Sequence, residues 1–179
     1  MKLFSPKGQG SRPITDRVKE SLFNVLRKYG LPGGAVVADL FCGVGSLGLE
    51  VLSRGAEFVT FVEQDPKIIV TLERNIEKAG FVKQSNVIRA DVFRIGAPVG
   101  SEGRKYNLIF VDPPYSLAQD VKSGSPLSKL FDFLQEQAAD GALAIVRTDH
   151  RTFLQERYGQ FQVVERRKWG TMAVTILRK

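Results

Sequence analysis

The stretch "NLIFVDPPYSL", residues 107–117, runs apolar residues into an acid, two prolines and an aromatic ring. Leu108 to Asp112 has the character of a buried strand that ends in a carboxylate. Proline fixes φ and donates no backbone hydrogen bond, so Pro113 and Pro114 end the strand and stiffen the turn after it. The Asp112 carboxylate, the Pro113 carbonyl and the Tyr115 ring are thereby held together. This is a set of acceptors beside a stacking face, with almost no donors. Such a set suits an amino group on a purine ring, whose delocalised lone pair makes it a poor nucleophile. Accepting both N–H hydrogens favours a pyramidal nitrogen whose lone pair can point at an electrophile, while Tyr115 stacks on an extruded base.

Three more acids stand where apolar runs end: Asp39, Glu63 and Asp91. Between the first two lies Gly43-Val44-Gly45-Ser46-Leu47-Gly48, which matches the G-x-G-x-x-G pattern. On its own that pattern is a weak sign of a dinucleotide site. The glycines let backbone approach a ligand and present N–H groups at a helix start. Asp39 argues against a pyrophosphate, which it would repel, and suits a ligand carrying an ammonium group. S-adenosylmethionine has such an end, together with a ribose for Glu63 and an adenine for Asp91 and the Val92 backbone N–H.

Strands alternating with helices are what would position these groups. Thr15 caps a predicted helix to Tyr29, with Val18, Leu22, Val25 and Leu26 on one face. After "LPGG" come a strand at 35–41 and a helix closed by Gly55. A strand at 57–63 leads into a helix from Pro66 to Gly80. Next come strands at 86–91 and 106–112, a helix at 126–139, a strand at 141–149 and a helix at 151–159. Two final strands, 161–169 and 171–179, turn at Gly170. The expected fold is an α/β doubly wound, seven-stranded, mostly parallel sheet with one antiparallel strand, its ligand edge at the carboxyl ends of the strands. Residues 1–14 form a basic leading segment and 15–179 a single domain. The loops at 93–105 and 116–125 are long, and the second is either a lid or a loose connection.

Composition narrows the class. With 43% apolar and 25% charged residues, the 179-residue chain is of globular type. No apolar run approaches the ~20 residues a spanning helix needs. One cysteine excludes an internal disulfide and fits a cytoplasmic setting, and one histidine beside it makes a protein-built metal site unexpected. The net charge of +7 is uneven: +5 over residues 1–30, +5 over 147–179 and −3 between them. Two basic ends that met in space would suit a phosphate backbone. Cys42, inside the glycine turn, is expected to be a packed thiol and His150 a surface residue. Trp169 is expected either to stack on RNA or to pack in the hairpin.

The motifs "DLFCGVGSLGLEVLSRGA", "FVEQD", "AD" and "VDPPY" resemble those of Rossmann-like S-adenosylmethionine-dependent methyltransferases that act on exocyclic amino groups. "RPITDRVKESLFNVL", residues 12–26, and the ending "RKWGTMAVTILRK" are similar to signatures of the bacterial 16S ribosomal RNA guanine-N2 methyltransferase family. The resemblance implies S-adenosylmethionine as cofactor, held by Asp39, Phe41, Gly43, Gly45, Glu63, Gln64, Asp91, Val92 and Asp112. It implies catalysis by Asp112, Pro113, Pro114 and Tyr115, with Arg12, Arg17, Tyr115, Arg166, Arg167 and Lys168 toward the substrate. The partner it implies is ribosomal RNA, within a small-subunit assembly particle, approached by a monomer away from any membrane. Competing functions are an adenine-N6 methyltransferase, a non-catalytic RNA-binding protein and a nicotinamide oxidoreductase. Asp39 and the absence of a hydride-transfer constellation disfavour the last.

Overall fold

The computed structural model describes residues 3–4, 14–99, 103–114 and 117–179. Its strands are β1 Val36–Leu40, β2 Phe58–Glu63, β3 Ser85–Arg89, β4 Tyr106–Val111, β5 Ala138–Asp149, β6 Arg157–Tyr158, β7 Phe161–Trp169 and β8 Met172–Arg178. They form one sheet in the order β3-β2-β1-β4-β5-β8-β7-β6. β1 to β5 pair in parallel, and β8 enters antiparallel between β5 and β7. The expected doubly wound architecture is present. The sheet has eight strands, the additional one being the two-residue β6 antiparallel to β7 at the edge.

The helices are α1 Asp16–Arg27, α2 Ser46–Ser53, α3 Pro66–Ala79, α4 Val92–Ile95 and α5 Pro126–Gln137. Local chemistry sets their ends. The Thr15 hydroxyl accepts from the Val18 N–H to start α1, and Asp65 caps α3 ahead of Pro66. Gly80, at φ +76, ends α3 in the left-handed conformation that glycine adopts without a Cβ clash.

Strand alternation divides the core into two layers. Val37, Val59, Phe61, Phe110, Ile145 and Ile176 face α1, α2 and α3. Ala38, Leu40, Val62, Val111, Val146 and Leu177 face α4 and α5. Lys28 and Tyr29, beyond the end of α1, share a recess with Asn107, Asp140 and Arg178. That recess lies where β4 and β5 begin, so the start of α1 points toward the opposite, carboxyl edge of the sheet.

The helix predicted at 151–159 is absent. This segment is an irregular turn leading into β6. A helix needs its own carbonyls, and here Arg166 on β7 takes two of them. Its Nη2 donates to the His150 carbonyl at 2.6 Å and to the Thr152 carbonyl at 3.4 Å. Leu154 and Tyr158 then pack against the α5 side of the core. The Tyr158 hydroxyl donates to the Val121 carbonyl at 2.7 Å, and Ala118 is buried. The second long loop is thus pinned at its described positions. The first is held at its described start, where Gln137 accepts from the Ala97 N–H and donates to the Ile95 carbonyl. No helix among the described residues is long and apolar enough to cross a membrane.

Candidate active site

Strand register decides how the acids present themselves. Val62, Leu40, Val111 and Val146 share one rung across β2, β1, β4 and β5. The residues one step beyond are Glu63, Phe41, Asp112 and Arg147. Alternation turns Glu63, Asp112 and Arg147 to the α1–α3 face, and Asp39, two residues lower, to the same face. At the β3 end, Asp91 caps α4, its Oδ1 accepting from the Phe93 N–H at 3.0 Å.

Asp39 is 1% exposed, and its Oδ2 accepts from the Gly48 N–H at 2.8 Å. It braces the glycine turn from beneath; it is not an open carboxylate at the edge. Burial pushes its carboxyl well above the ordinary 3.8; the Gly48 N–H and Arg147 work against that, and Asp112 and Glu63 add to it. A Cβ at Gly48 would overlap the Phe61 ring and approach Asp39 Oδ2, so only glycine lets α2 come this close. Gly45, at φ +84, is the N-cap of α2.

Glu63 gathers the backbone around it. Its Oε2 accepts from the Gly43 N–H at 3.1 Å, and its Oε1 accepts from the Gln64 and Asp65 N–H groups at 2.9 and 3.0 Å. This fixes the carboxylate at the mouth of the glycine turn while leaving it half-exposed. Gln64 is exposed, and Val92 is buried as the first residue of α4. Phe41 adopts φ +58, sparsely populated for a residue with a Cβ. Alternation would send it to the α1–α3 face. The left-handed backbone turns it to the other, where its ring meets Phe93 at 5.1 Å between centroids. This pair forms an apolar wall between the β1 and β3 ends.

Asp112 follows β4, its N–H donating to the Leu40 carbonyl at 3.3 Å. Pro113 is buried and Pro114 exposed. Arg147 Nε donates to Asp112 Oδ1 at 2.5 Å, with side-chain exposures of 15% and 18%. Among the described residues no donor reaches Asp112 Oδ2, which leaves an acceptor for a ligand. Burial raises the Asp112 carboxyl above its ordinary value, and Arg147 pulls it back down. Sequence reading missed Arg147, because nothing local links residue 147 to residue 112.

Asn75 on α3 was also missed. Fully buried, it donates to the Val44 carbonyl at 3.0 Å and the Phe4 carbonyl at 3.1 Å, and accepts from the Phe4 N–H at 2.8 Å. It ties the glycine turn to the leading segment. A polar residue on the buried face of an amphipathic helix is the signal that marks it. Cys42 is buried, and burial, Asp39 and Glu63 together raise its thiol, as befits a packed group. Trp169 packs on the α1–α3 core, and the His150 ring lies beside the Thr171 carbonyl.

The residues expected to face substrate are dispersed. Arg12 and Tyr115 lie outside the described residues. Arg17 is exposed in the first turn of α1, at the carboxyl edge. Arg166 is bound to the carbonyls of residues 150 and 152, Arg167 pairs with Glu165, and Lys168 is exposed. All three lie at the end of β7 that shares the edge with Asp112. Arg166 and Trp169 align through β8 with Val146 and Asp149 of β5.

Known proteins resemble this chain in sequence and fold. The family model described as "Conserved hypothetical protein 95" matches residues 1–178. YlbH of Bacillus subtilis (strain 168), whose name places it among rRNA methyltransferases, is 36% identical over 172 residues, 96% of this chain and 90% of that protein. Ribosomal RNA small subunit methyltransferase D of Escherichia coli (strain K12) is 38% identical over 116 residues, 64% of this chain and 54% of that relative. Among solved structures, yhhF from Escherichia coli, named as a methyltransferase, superposes with a TM-score of 0.76 at 28% identity, covering 100% of this chain and 92% of that one. An RNA methyltransferase from Salinibacter ruber in complex with S-adenosyl-L-homocysteine shares the fold, with a TM-score of 0.66 at 16% identity over 93% of each chain. The chain therefore belongs to the family described as Conserved hypothetical protein 95, alongside proteins named as ribosomal RNA methyltransferases.

Proposed function

We propose that this protein transfers a methyl group from S-adenosylmethionine to the exocyclic N2 amino group of a guanine in small-subunit (16S) ribosomal RNA. The observation that carries the reading is the end of β4. Asp112 stands one rung from the glycine turn, with Oδ1 held by Arg147 and Oδ2 facing no donor among the described residues. Beside it Pro113 supplies a rigid carbonyl. Methyl transfer to ribosomal RNA is also the activity named for the relatives.

The residues present fit the cofactor. Glu63 would accept from ribose hydroxyls, and the Phe41–Phe93 wall and the start of α4 would take a flat ring. The glycine turn braced by Asp39 allows close backbone approach for the amino-acid end. When bound, S-adenosylmethionine supplies an electrophilic methyl group on a cationic sulfur. Asp112 Oδ2 and the Pro113 carbonyl would each accept one hydrogen of the target amino group, freeing its lone pair for attack. The nitrogen would become cationic as its bond to the methyl carbon formed and the methyl–sulfur bond broke, the electron pair returning to sulfur to leave a neutral thioether, and its surplus proton would pass to Asp112 or to water. Alignment and fixed acceptors carry the rate, with no strong base required. The particle in which the RNA is presented is taken to be an assembling small subunit, and the acting species a monomer.

Mass spectrometry of small-subunit RNA from cells lacking the gene tests the reading. One N2-methylguanine should disappear and return on complementation. A loss confined to N6-methyladenine, or no loss, would overturn it. Binding gives an independent check. Glu63→Ala should weaken S-adenosylmethionine binding while leaving the fold intact, and Asp39→Ala should weaken it while also lowering the melting temperature, because the Gly48 N–H loses its buried acceptor. Calorimetry that shows NAD binding and no heat with S-adenosylmethionine would reverse the cofactor assignment.

A further inference from the structure

Phe153 is 66% exposed, the most exposed large apolar side chain among the described residues. It follows β5 by four residues, on the carboxyl edge that carries Asp112. Its ring is not loose. The Arg166 guanidinium lies 4.1 Å from the ring centroid, and the same guanidinium is fixed by the carbonyls of residues 150 and 152 on either side of Arg151. Arg166 Nε is buried without a hydrogen-bond partner, and among the described residues Arg166 makes no ion pair. The arrangement is an aromatic plate with a cation fixed against its ring, in a segment kept irregular by that same cation.

The surroundings are basic. Lys168, two residues along β7 from Arg166, is exposed, and Arg167 between them pairs with Glu165. Such a plate beside Lys and Arg has the chemistry of single-strand recognition, in which a base stacks on the ring while cations hold its phosphates.

We propose that Phe153, held by Arg166, is a stacking platform for an unpaired RNA base close to the target nucleotide. The inference rests on the RNA methyltransferase reading above and adds to it the surface that holds the strand. Trp169, the hairpin's own aromatic, packs on the core and does not take this role.

The two kinds of contact respond differently to salt. Phosphate neutralisation releases counterions, so its contribution falls with ionic strength; stacking releases none. The test measures binding of unmodified, in vitro transcribed small-subunit RNA to the full chain across a salt series, with single-turnover methyl transfer to the same RNA in parallel. Phe153→Ala should weaken binding about 5- to 100-fold at every salt concentration, with the slope of log affinity against log salt unchanged. Phe153→Trp should bind like wild type, and Lys168→Ala should flatten the slope by about one unit. An exposed side chain is a poor stability determinant, so the melting temperature of Phe153→Ala should match wild type. Affinity of Phe153→Ala within twofold of wild type would overturn the platform while leaving the methyltransferase reading standing, provided wild type methylates the RNA. A loss seen only with small-subunit particles and not with naked RNA would assign Phe153 to a protein partner and likewise overturn it. Wild-type protein that neither binds nor methylates the RNA, naked or in undermethylated small-subunit particles, would take down both readings.

Discussion

Asp112→Ala is expected to bind S-adenosylmethionine nearly as wild type does and to lose turnover. Removing a fixed acceptor from a water-poor site costs ~2–4 kcal/mol of transition-state stabilisation, or roughly 30- to 1000-fold in rate. The cofactor contacts proposed for Glu63 and the start of α4 do not need Asp112, so cofactor affinity and turnover should separate. Asp112→Asn sharpens the case. It preserves the shape and keeps one oxygen, yet it introduces an N–H₂ donor toward either Arg147 or the incoming amino group, both of which are donors. It should therefore behave like alanine. The measurement is single-turnover methyl transfer at saturating cofactor, with calorimetric cofactor affinity alongside. Turnover of Asp112→Ala near that of wild type would refute the acceptor mechanism whatever the family likeness. Tyr115→Ala extends the test to the position after the prolines, where loss of turnover is expected and Tyr115→Phe should stay active.

The second large effect concerns Arg147, replaced by methionine to keep its bulk. Both members of the Arg147–Asp112 pair are more than four-fifths buried. Removing one member of such a pair leaves a buried charge uncompensated, and about 3–5 kcal/mol of stability is the expected loss at neutral pH. The loss should depend on pH, and its sign comes from Asp112. Its folded carboxyl already titrates above the ordinary 3.8, because burial outweighs Arg147. Between those two values the folded protein holds a proton that the unfolded chain has released, so stability falls as pH rises. Without Arg147 the folded value moves higher still, because burial remains and the counter-charge is gone. The variant's deficit should thus shrink as pH falls below the wild-type Asp112 value and be complete only above its new one. Urea denaturation from pH 4 to 8 measures this directly. Turnover should change in parallel, with the acidic limb of the rate profile displaced to higher pH and partly restored in Arg147→Lys. A deficit equal at all pH values, with an unmoved rate profile, would show that Arg147 acts by packing alone.

Much of this protein was determined by local sequence. Apolar runs broken by Gly and Pro at regular spacing dictated the alternation of strands and helices, and with it a mostly parallel sheet with helices on both faces. The acids at four strand ends and the glycine turn were readable for the same reason, since period-two alternation and turn chemistry involve only neighbouring residues. Tertiary structure decided what depends on partners far along the chain. Asp39 reads as an edge acid, but register sets it two residues below Glu63 and Asp112, where it braces Gly48. Arg147 became the counter-charge of Asp112 only because β5 lies beside β4, 35 residues away. Phe41 left its expected face because the chain turns left-handed there to enter the glycine loop. Residues 151–159 carry a helical pattern, yet Arg166, reaching back from β7 when that strand pairs with β8, took the carbonyls at 150 and 152. Periodicity reports which face of an element is apolar. It carries no information on which strand lies alongside, at what register, or which distant side chain claims a backbone group, and those pairings complete the site.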